Sequence, residues 1–361
     1  MSNLKQYKCP SCGGPINYDI ASGQLKCPYC GSKFEIDTLQ GYDEDLKNTV
    51  EEELNWMDKP EQFFTETEES QLRHYVCDSC GGEIIADVNT GATSCPYCGN
   101  PVIVPQKFSG ILKPDLVVPF KIDEKQAKEA YKKHLKGKPL LPKFFKDENR
   151  INELKGIYVP FWLYDAEVDM AARYRTTRSR TWSDSDYNYT ETSYYSVYRE
   201  GEIGFDNVPV DGSTNIDDVL MESIEPFDID EAVDFKTAYL AGYLADKYDI
   251  SAEESKEQAN QRMRTSAEMA LASTIRGYDS IALESMNMGL NNHTIKYCLL
   301  PVYILNTTYK GQKYTFAMNG QTGKLVGDLP VDKGAYAMYF SIIFVIVAVI
   351  AYVIQMFIIG G

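Results

Sequence analysis

The sequence predicts an α+β protein with two small metal-stapled hairpins toward its amino end and one membrane-crossing helix toward its carboxyl end. Three observations carry this. The pattern CxxC, fourteen residues, CxxC occurs twice, in YKCPSCGGPINYDIASGQLKCPYCG (Tyr7 to Gly31) and in YVCDSCGGEIIADVNTGATSCPYCG (Tyr75 to Gly99). No residue from Gly334 to Gly361 is charged. Between these ends, helical patterns alternate with β-branched and aromatic stretches, in a chain of 361 residues that holds 26 tyrosines.

The cysteine blocks come first. A thiolate is soft, charged and compact, which suits zinc. A CxxC pair on a tight turn sets two sulfurs on one side of the ion, and a second pair completes a tetrahedron with bonds of about 2.3 Å. The expected ligands are Cys9, Cys12, Cys27 and Cys30 in one site, and Cys77, Cys80, Cys95 and Cys98 in the other. Four thiolates leave no open position, so two structural zinc ions are expected, with iron as the alternative. The residues between the pairs read as hairpins turning at Gly23 and Gly91. Each block is therefore a rubredoxin-like zinc ribbon, residues 1–36 and residues 75–104. Units this short bury little apolar surface, so the metal supplies folding energy. Thiolate sites also fit a reducing compartment. His74 stands beside a complete ligand set and reads as a surface residue. Cys298, the ninth cysteine, precedes LLPVY and reads as a buried small hydrophobe rather than a nucleophile.

Residues 37–74 link the ribbons and are acidic, with EEEL at Glu51 to Leu54 and ETEES at Glu66 to Ser70. Leu46, Val50, Leu54 and Met57 fall at helical spacing, so a short amphipathic helix competes with a flexible spacer. The whole chain has a formal net charge of -16. The first ribbon offers Lys5, Lys8, Lys26 and Lys33; the second offers no lysine or arginine before Lys107, and neither contains arginine. A nucleic-acid reader needs a basic stripe and planar arginine donors, so nucleic acid is the weaker alternative to protein docking.

Residues 105–330 form an α+β body. Asp123 is an expected N-cap with Gln126 as its capping-box partner, and Gly137 ends that helix. Gly156 to Thr177 reads as strand, Ser179 to Glu191 as a hairpin tip, and Asp211 to Ser213 as a loop. Ala252 to Ile275 reads as a long helix. The last stretch, from Cys298 to Pro330, reads as a meander turning at Asn319-Gly320 and Thr322-Gly323. Pro119-Phe120 and Ile122-Asp123-Glu124 are echoed by Pro226-Phe227 and Ile229-Asp230-Glu231, and VPFWLYD (Val159 to Asp165) is echoed by LPVYILN. The body is thus expected to consist of two related halves, 115–213 and 224–330.

Several side chains could carry chemistry. Asp165, Glu167 and Asp169 alternate on one strand face; a bound cation is conceivable, a solvated face simpler. Lys121 to Lys146 holds nine lysines against three acids and could touch anionic lipid or an acidic partner, although a solvated helix face explains it too. His134 lies in that helix, and His293 follows two asparagines in an expected turn. No HExxH, GxSxG or P-loop motif occurs, so no catalytic residue is assigned and an enzyme is not expected. An enzyme site in the body, lined by Asp165, Glu167 or His293, is the least favoured reading.

The helix expected over residues 335–359 has an apolar core from Ala337 to Ile359, enough to cross a hydrocarbon layer of ~30 Å. The start, MSNLKQYKCP, has no apolar stretch, so no signal peptide is expected. These features predict a single-pass, tail-anchored protein whose thiolates place its amino-terminal bulk in the cytoplasm.

The two ribbons, the body with YTFAMNGQTGKLVGDLPV and the terminal helix together resemble a family of bacterial tail-anchored membrane proteins labelled as TFIIB-type zinc-ribbon proteins. That resemblance implies a membrane anchor encoded beside an SPFH-domain protein. It would act with a second membrane protein to recruit a phage-shock protein A-like membrane remodeller under envelope stress. It implies a scaffold that docks protein partners through its ribbons, by strand addition and with avidity from two copies. It supplies no catalytic residues.

Overall fold

A computed structural model of the chain describes residues 9, 16–19, 22–29, 31–34, 54, 56–57, 59–89, 94–100, 103–106 and 111–359. In chain order the strands are β1 (Asn17–Asp19), β2 (Gln24–Lys26), β3 (Lys33–Phe34), β4 (Leu72–Cys77), β5 (Glu83–Asp87), β6 (Ile103–Gln106), β7 (Leu116–Val117), β8 (Lys155–Ser183), β9 (Asn188–Asp211), β10 (Val233–Asp234), β11 (Leu244–Asp246), β12 (Ser280–Tyr309), β13 (Gln312–Asn319) and β14 (Leu325–Gly327). The α-helices are α1 (Glu66–Glu69), α2 (Glu124–Leu135), α3 (Glu148–Ile151), α4 (Asp218–Ile224), α5 (Ala252–Ser273) and α6 (Lys333–Ile359). Two compact units result: residues 1–57, 164–208 and 256–294, and residues 58–163, 209–255 and 295–361.

In the first unit β1, β2 and β3 make a separate antiparallel sheet. Its hairpin turns as expected: Gly23 has φ 72° and donates to the Asp19 carbonyl at 2.9 Å. The unit also holds most of β9, the later part of β8, the early part of β12 and most of α5. Ala259, Met263, Ala267 and Leu271 recur every fourth residue along α5 and are all buried, the stripe that an amphipathic helix lays on a sheet. The Tyr174 hydroxyl, from β8, donates to the Glu268 carbonyl at 3.2 Å. Trp56, from the acidic linker, is buried here, donating to Asn260 Oδ1 at 2.7 Å. Of the linker positions with the expected helical spacing, Leu46 and Val50 lie outside the described residues, and Leu54 and Met57 are not helical.

The second unit is built on a sheet ordered β10-β7-β12-β8-β11-β5-β4-β6, with β13 beside β12 and β14 beside β13. β4 and β5, the hairpin of the second cysteine block, belong to this sheet: Leu244, Ala245 and Asp246 pair antiparallel with Ala86, Ile85 and Ile84. The sheet therefore does not stop at the ribbon–body boundary drawn at residue 104. Gly91, the expected turn, lies outside the described residues; the hairpin seen runs across the Cys77–Cys80 turn, with Val76 opposite Glu83.

The centre of this sheet repeats itself. β7 runs parallel to β12, with Leu116 opposite Cys298 and Val117 opposite Leu299. β11 runs parallel to β8, with Leu244 opposite Ile157 and Ala245 opposite Tyr158. Gly320 donates to the Pro301 carbonyl (2.8 Å) as Gly212 donates to that of Pro160 (2.9 Å). The Gly320 carbonyl accepts from Lys121 and Ile122 (both 3.0 Å), and that of Gly212 from Asp249 and Ile250 (3.0 and 3.1 Å). Each opening strand leads into a capped helix. Asp123 and Gln126 exchange bonds at the start of α2, as expected. Ser251 and Glu254 do the same at the start of α5. The opening strands are exchanged, each lying beside the long strand of the other half.

In this geometry the counterpart of β7 is β11, which lies past residue 224. The echo at Ile229–Glu231 is a short 3-10 turn. Asp230, the counterpart of Asp123, lies inside that turn, and Val233 stands where Gln126 completes the capping box of α2, so no α-helix starts and the chain continues into β10, which pairs with β7.

α2 buries Ala127, Tyr131 and Leu135 against Tyr303, Leu305, Phe316 and Met318. α6 is the one helix among the described residues long and apolar enough to cross a membrane, and none of its described side chains is buried in the protein. Asp332 caps it, accepting from Gly334 (2.8 Å) and Ala335 (3.1 Å), and its own N–H donates to the Leu140 carbonyl at 2.8 Å.

Candidate metal centre

Two reversals of the backbone bring four sulfurs together. Cys77 N–H donates to the Gly82 carbonyl (3.0 Å) and Gly81 N–H to that of Cys77 (2.8 Å). Cys95 N–H donates to the Asn100 carbonyl (2.8 Å) and Gly99 N–H to that of Cys95 (3.0 Å). These turns need left-handed residues at Gly81 (φ 77°) and Gly99 (φ 75°), which the CxxCG sequence supplies. Cys77 and Cys98 Sγ are 3.6 Å apart, as are Cys80 and Cys95 Sγ, and all four lie within 4.8 Å of one another. Tetrahedral bonds of ~2.3 Å place sulfurs about 3.8 Å apart, so the cluster has the size of a thiolate metal site.

The protein already favours one thiolate. Burial opposes ionisation of Cys77, but the N–H groups of Cys80 and Ser79 and the neighbouring thiols outweigh it and bring the group down to about 7. Burial pushes Cys80 and Cys95 up. A cation among the sulfurs is what would let the whole set ionise.

The first block shares this local geometry. Cys27 N–H donates to the Ser32 carbonyl and Gly31 N–H to that of Cys27, both at 2.9 Å, with Gly31 at φ 76°. Cys9 and Cys27 are buried. Cys12 and Cys30 lie outside the described residues, so among the described residues one four-cysteine cluster is formed, not two.

The two blocks differ in their surroundings. Tyr29 and Tyr97 fill the same place in CPYC, yet Tyr29 is 75% exposed and Tyr97 3%. Cys77, Cys95 and Tyr97 join Ile84, Ala86, Ile157 and Val159 in the core of the large sheet. Lys155, at the start of β8, donates from Nζ to the Ser94 carbonyl (2.9 Å) and bonds the Ser94 hydroxyl. Asn306, on β12, donates to the Pro96 carbonyl at 2.7 Å. Neither contact was legible in the sequence, because both come from strands far along the chain. His74 is a correction: it is buried, not a surface residue, with Nε2 2.7 Å from Glu83, which also meets Lys247 at 2.9 Å. It sits on β4, between β5 and β6, and so lies inside the sheet.

Behind Tyr97 lie two buried acids. Asn215 donates to Asp246 Oδ1 at 3.2 Å, and Ser213 N–H to Asp211 Oδ1 at 3.0 Å. Burial raises Asp246 to about 7 and Asp211 to about 8.

Other singled-out residues serve packing. Cys298 is fully buried, and burial pushes its thiol up. Asp165, Glu167 and Asp169 accept from Thr294 (3.0 Å), Asn292 (2.6 Å) and Asn291 (2.6 Å), amide and hydroxyl donors of β12. His293 is in β12 and not in a turn; its Nε2 accepts from Met57 N–H at 2.8 Å, and its ring meets Trp56. His134 Nε2 lies 2.8 Å from Lys138 Nζ, and burial with that lysine lowers its pKa. In the basic run, Lys121, Lys128 and Lys132 pair with Glu231, Glu124 and Glu148.

No family model and no solved structure matches the chain. It is similar to the "Uncharacterized protein YdjG" of Bacillus subtilis (strain 168), 32% identical over 316 aligned residues that cover 74% of this chain and 93% of that protein.

Proposed function

The chain belongs to the family of the Bacillus subtilis protein YdjG, and we propose that it is a membrane-anchored adaptor with its bulk in the cytoplasm. Both cysteine blocks bind structural zinc, the second as part of the sheet and the first as a docking module. α6 holds the chain at the bilayer. The protein works by binding other proteins and not by catalysis.

The contrast between the blocks is the observation that carries this reading. β5 is buried in its sheet, whereas Tyr18 on β1 is 53% exposed and Tyr29 in its CPYC turn 75% exposed. An exposed, metal-stapled hairpin offers rigid aromatic contacts and a strand edge to a partner. The proposed setting is envelope-stress membrane maintenance, with an SPFH-domain protein, another membrane protein and a phage-shock protein A-like protein as partners. Thiolate metal ligands of this kind suit a reducing cytoplasm.

The test is affinity purification of the full chain from detergent-solubilised membranes, beside a Tyr18→Ala/Tyr29→Ala variant. We expect the variant to keep its zinc and to lose its co-purifying proteins about tenfold, as the removal of interface aromatics commonly does. An unchanged set of partners would discard the docking role of the first ribbon.

A further inference from the structure

The second cysteine block depends on the large sheet for more than packing. With a divalent ion, four thiolates carry two net negative charges, and here two of the sulfurs are buried. Charge in such a place is stable only when hydrogen bonds and an opposite charge answer it. Amide N–H groups of the CxxC turns supply the hydrogen bonds, from Ser79 and Cys80 to Cys77 and from Tyr97 and Cys98 to Cys95. They carry no net charge.

Lys155 supplies one. It is half-buried at the start of β8, and its ammonium reaches the residue before Cys95, bonding both the carbonyl and the hydroxyl of Ser94. Burial lowers its pKa, and the negative charges of Cys95 and Glu153 oppose that shift. Glu153 is exposed on the solvent side, so its carboxylate is screened, whereas Cys95 is 1% exposed. The Ser94 bonds fix the ammonium beside the ligand loop, and Asn306 holds the next residue but one, Pro96, from β12. The Cys95–Cys98 turn is thus gripped by the two central strands.

We infer that Lys155 is the positioning residue and counter-cation of the Cys77–Cys80–Cys95–Cys98 centre, lowering the cost of four thiolates around a divalent ion and fixing the Cys95 turn to β8. This rests on the reading that the centre holds zinc. The role belongs to a lysine in the body and not to the ribbon sequence. It explains why a ribbon with no lysine or arginine of its own between Tyr75 and Pro105 can hold a doubly negative centre.

The experiment uses the full chain in detergent with Cys9→Ser and Cys12→Ser, so that only the second centre binds metal. Zinc content is measured first, and then the rate of zinc transfer to a coloured chelator for this protein and for its Lys155→Met, Lys155→Arg and Ser94→Ala variants. Loss of an outer-shell partner commonly weakens metal binding 10–100-fold. Lys155→Met should release zinc roughly ten times faster, and Lys155→Arg, which keeps the charge, should recover most of the difference. Ser94→Ala, which keeps the carbonyl bond, should fall between. The thiolate-to-metal charge-transfer band of the cobalt-loaded protein should shift in Lys155→Met and not in Lys155→Arg. Equal release by all variants overturns the inference while leaving the zinc centre in place. Equally fast release by the methionine and arginine variants replaces charge with packing and also overturns it. A parent protein without zinc removes both the inference and the metal reading it rests on.

Discussion

Asp211 and Asn319 stand at matching turns of the sheet, each just before the glycine whose carbonyl accepts from the chain that follows β11 or β7. Asn319 is fully satisfied: Nδ2 donates to the Ile224 and Pro226 carbonyls at 3.1 Å, and Oδ1 accepts from Gln321 (2.8 Å) and Thr322 (3.0 Å). Asp211 has the Oδ1 bond from Ser213, but its Oδ2 is buried without a partner. Burial is the main reason its carboxyl is raised to about 8, and the nearby Asp246 adds to it. An unfolded aspartate titrates near ~3.9. Between about pH 4 and 8 the folded state therefore keeps a proton that the unfolded state has released, and stability falls as pH rises across that window. Asp211→Asn should remove this proton linkage. Urea unfolding from pH 5 to 8.5 should show the variant gaining about 2 kcal/mol or more at pH 8, with a shallower slope, since Asp246 still titrates. Identical pH slopes for the two proteins would refute the buried-acid account. The sequence shows both DG and NG turns, but not that one of them buries an ionisable group, because that depends on β11 and on Tyr97 from the cysteine block.

Local elements follow their local signals closely. The capping box of α2 was legible in Asp123 and Gln126, and the box of α5, Ser251 and Glu254, obeys the same spacing rule. The knuckle turns follow from CxxCG, and the β13–β14 turn falls where Asn319-Gly320 and Thr322-Gly323 predict it, whereas the β12–β13 turn falls at Lys310-Gly311, which was not expected. The pairings of distant strands were not legible. β7 is two residues long and β11 three, too short for any periodicity, and their places beside β12 and β8 are set by packing between positions 182 and 87 residues apart in the chain. The sequence echo at Pro226–Glu231 misled for the same reason: a short motif was copied without the cap that makes it a helix. The matching caps allow a paired test. Ser251→Ala and Asp123→Ala should each lower stability by about 1 kcal/mol, read as a lower thermal midpoint by circular dichroism. Glu254→Gln keeps the acceptor of the box and should cost only a few tenths. If Ser251→Ala leaves the midpoint unchanged, the cap does not hold α5 in solution.

At the scale of the whole molecule, the four-cysteine cluster and the membrane-length helix belong to the same compact unit. β5 has two roles: it follows the Cys77–Cys80 turn, and it extends the large sheet through Ile84, Ile85 and Ala86 paired to β11. Cys77 and Cys95 belong to the same core as Ile157, Val159 and Leu300. If the cluster holds an ion as proposed, its loss would leave four sulfurs that cannot all stay charged and close together, and the turns that carry them would loosen. The disturbance should then enter the sheet at β5 rather than stay within a detached ribbon. Hydrogen exchange on the detergent-solubilised protein, before and after chelation, checks this. Protection should fall over Leu72–Asp87 and Leu244–Asp246, while the core of α2 and the β12–β13 pair, packed through Tyr131, Leu305 and Phe316, should keep theirs. β1 and β2 form a separate small sheet, so exchange there should respond to the first block alone, and Cys77→Ser should leave Asn17–Lys26 unchanged while opening β5. Loss of protection confined to residues 77–98, with β11 unaffected, would show that the second ribbon is a separable module despite its shared strands.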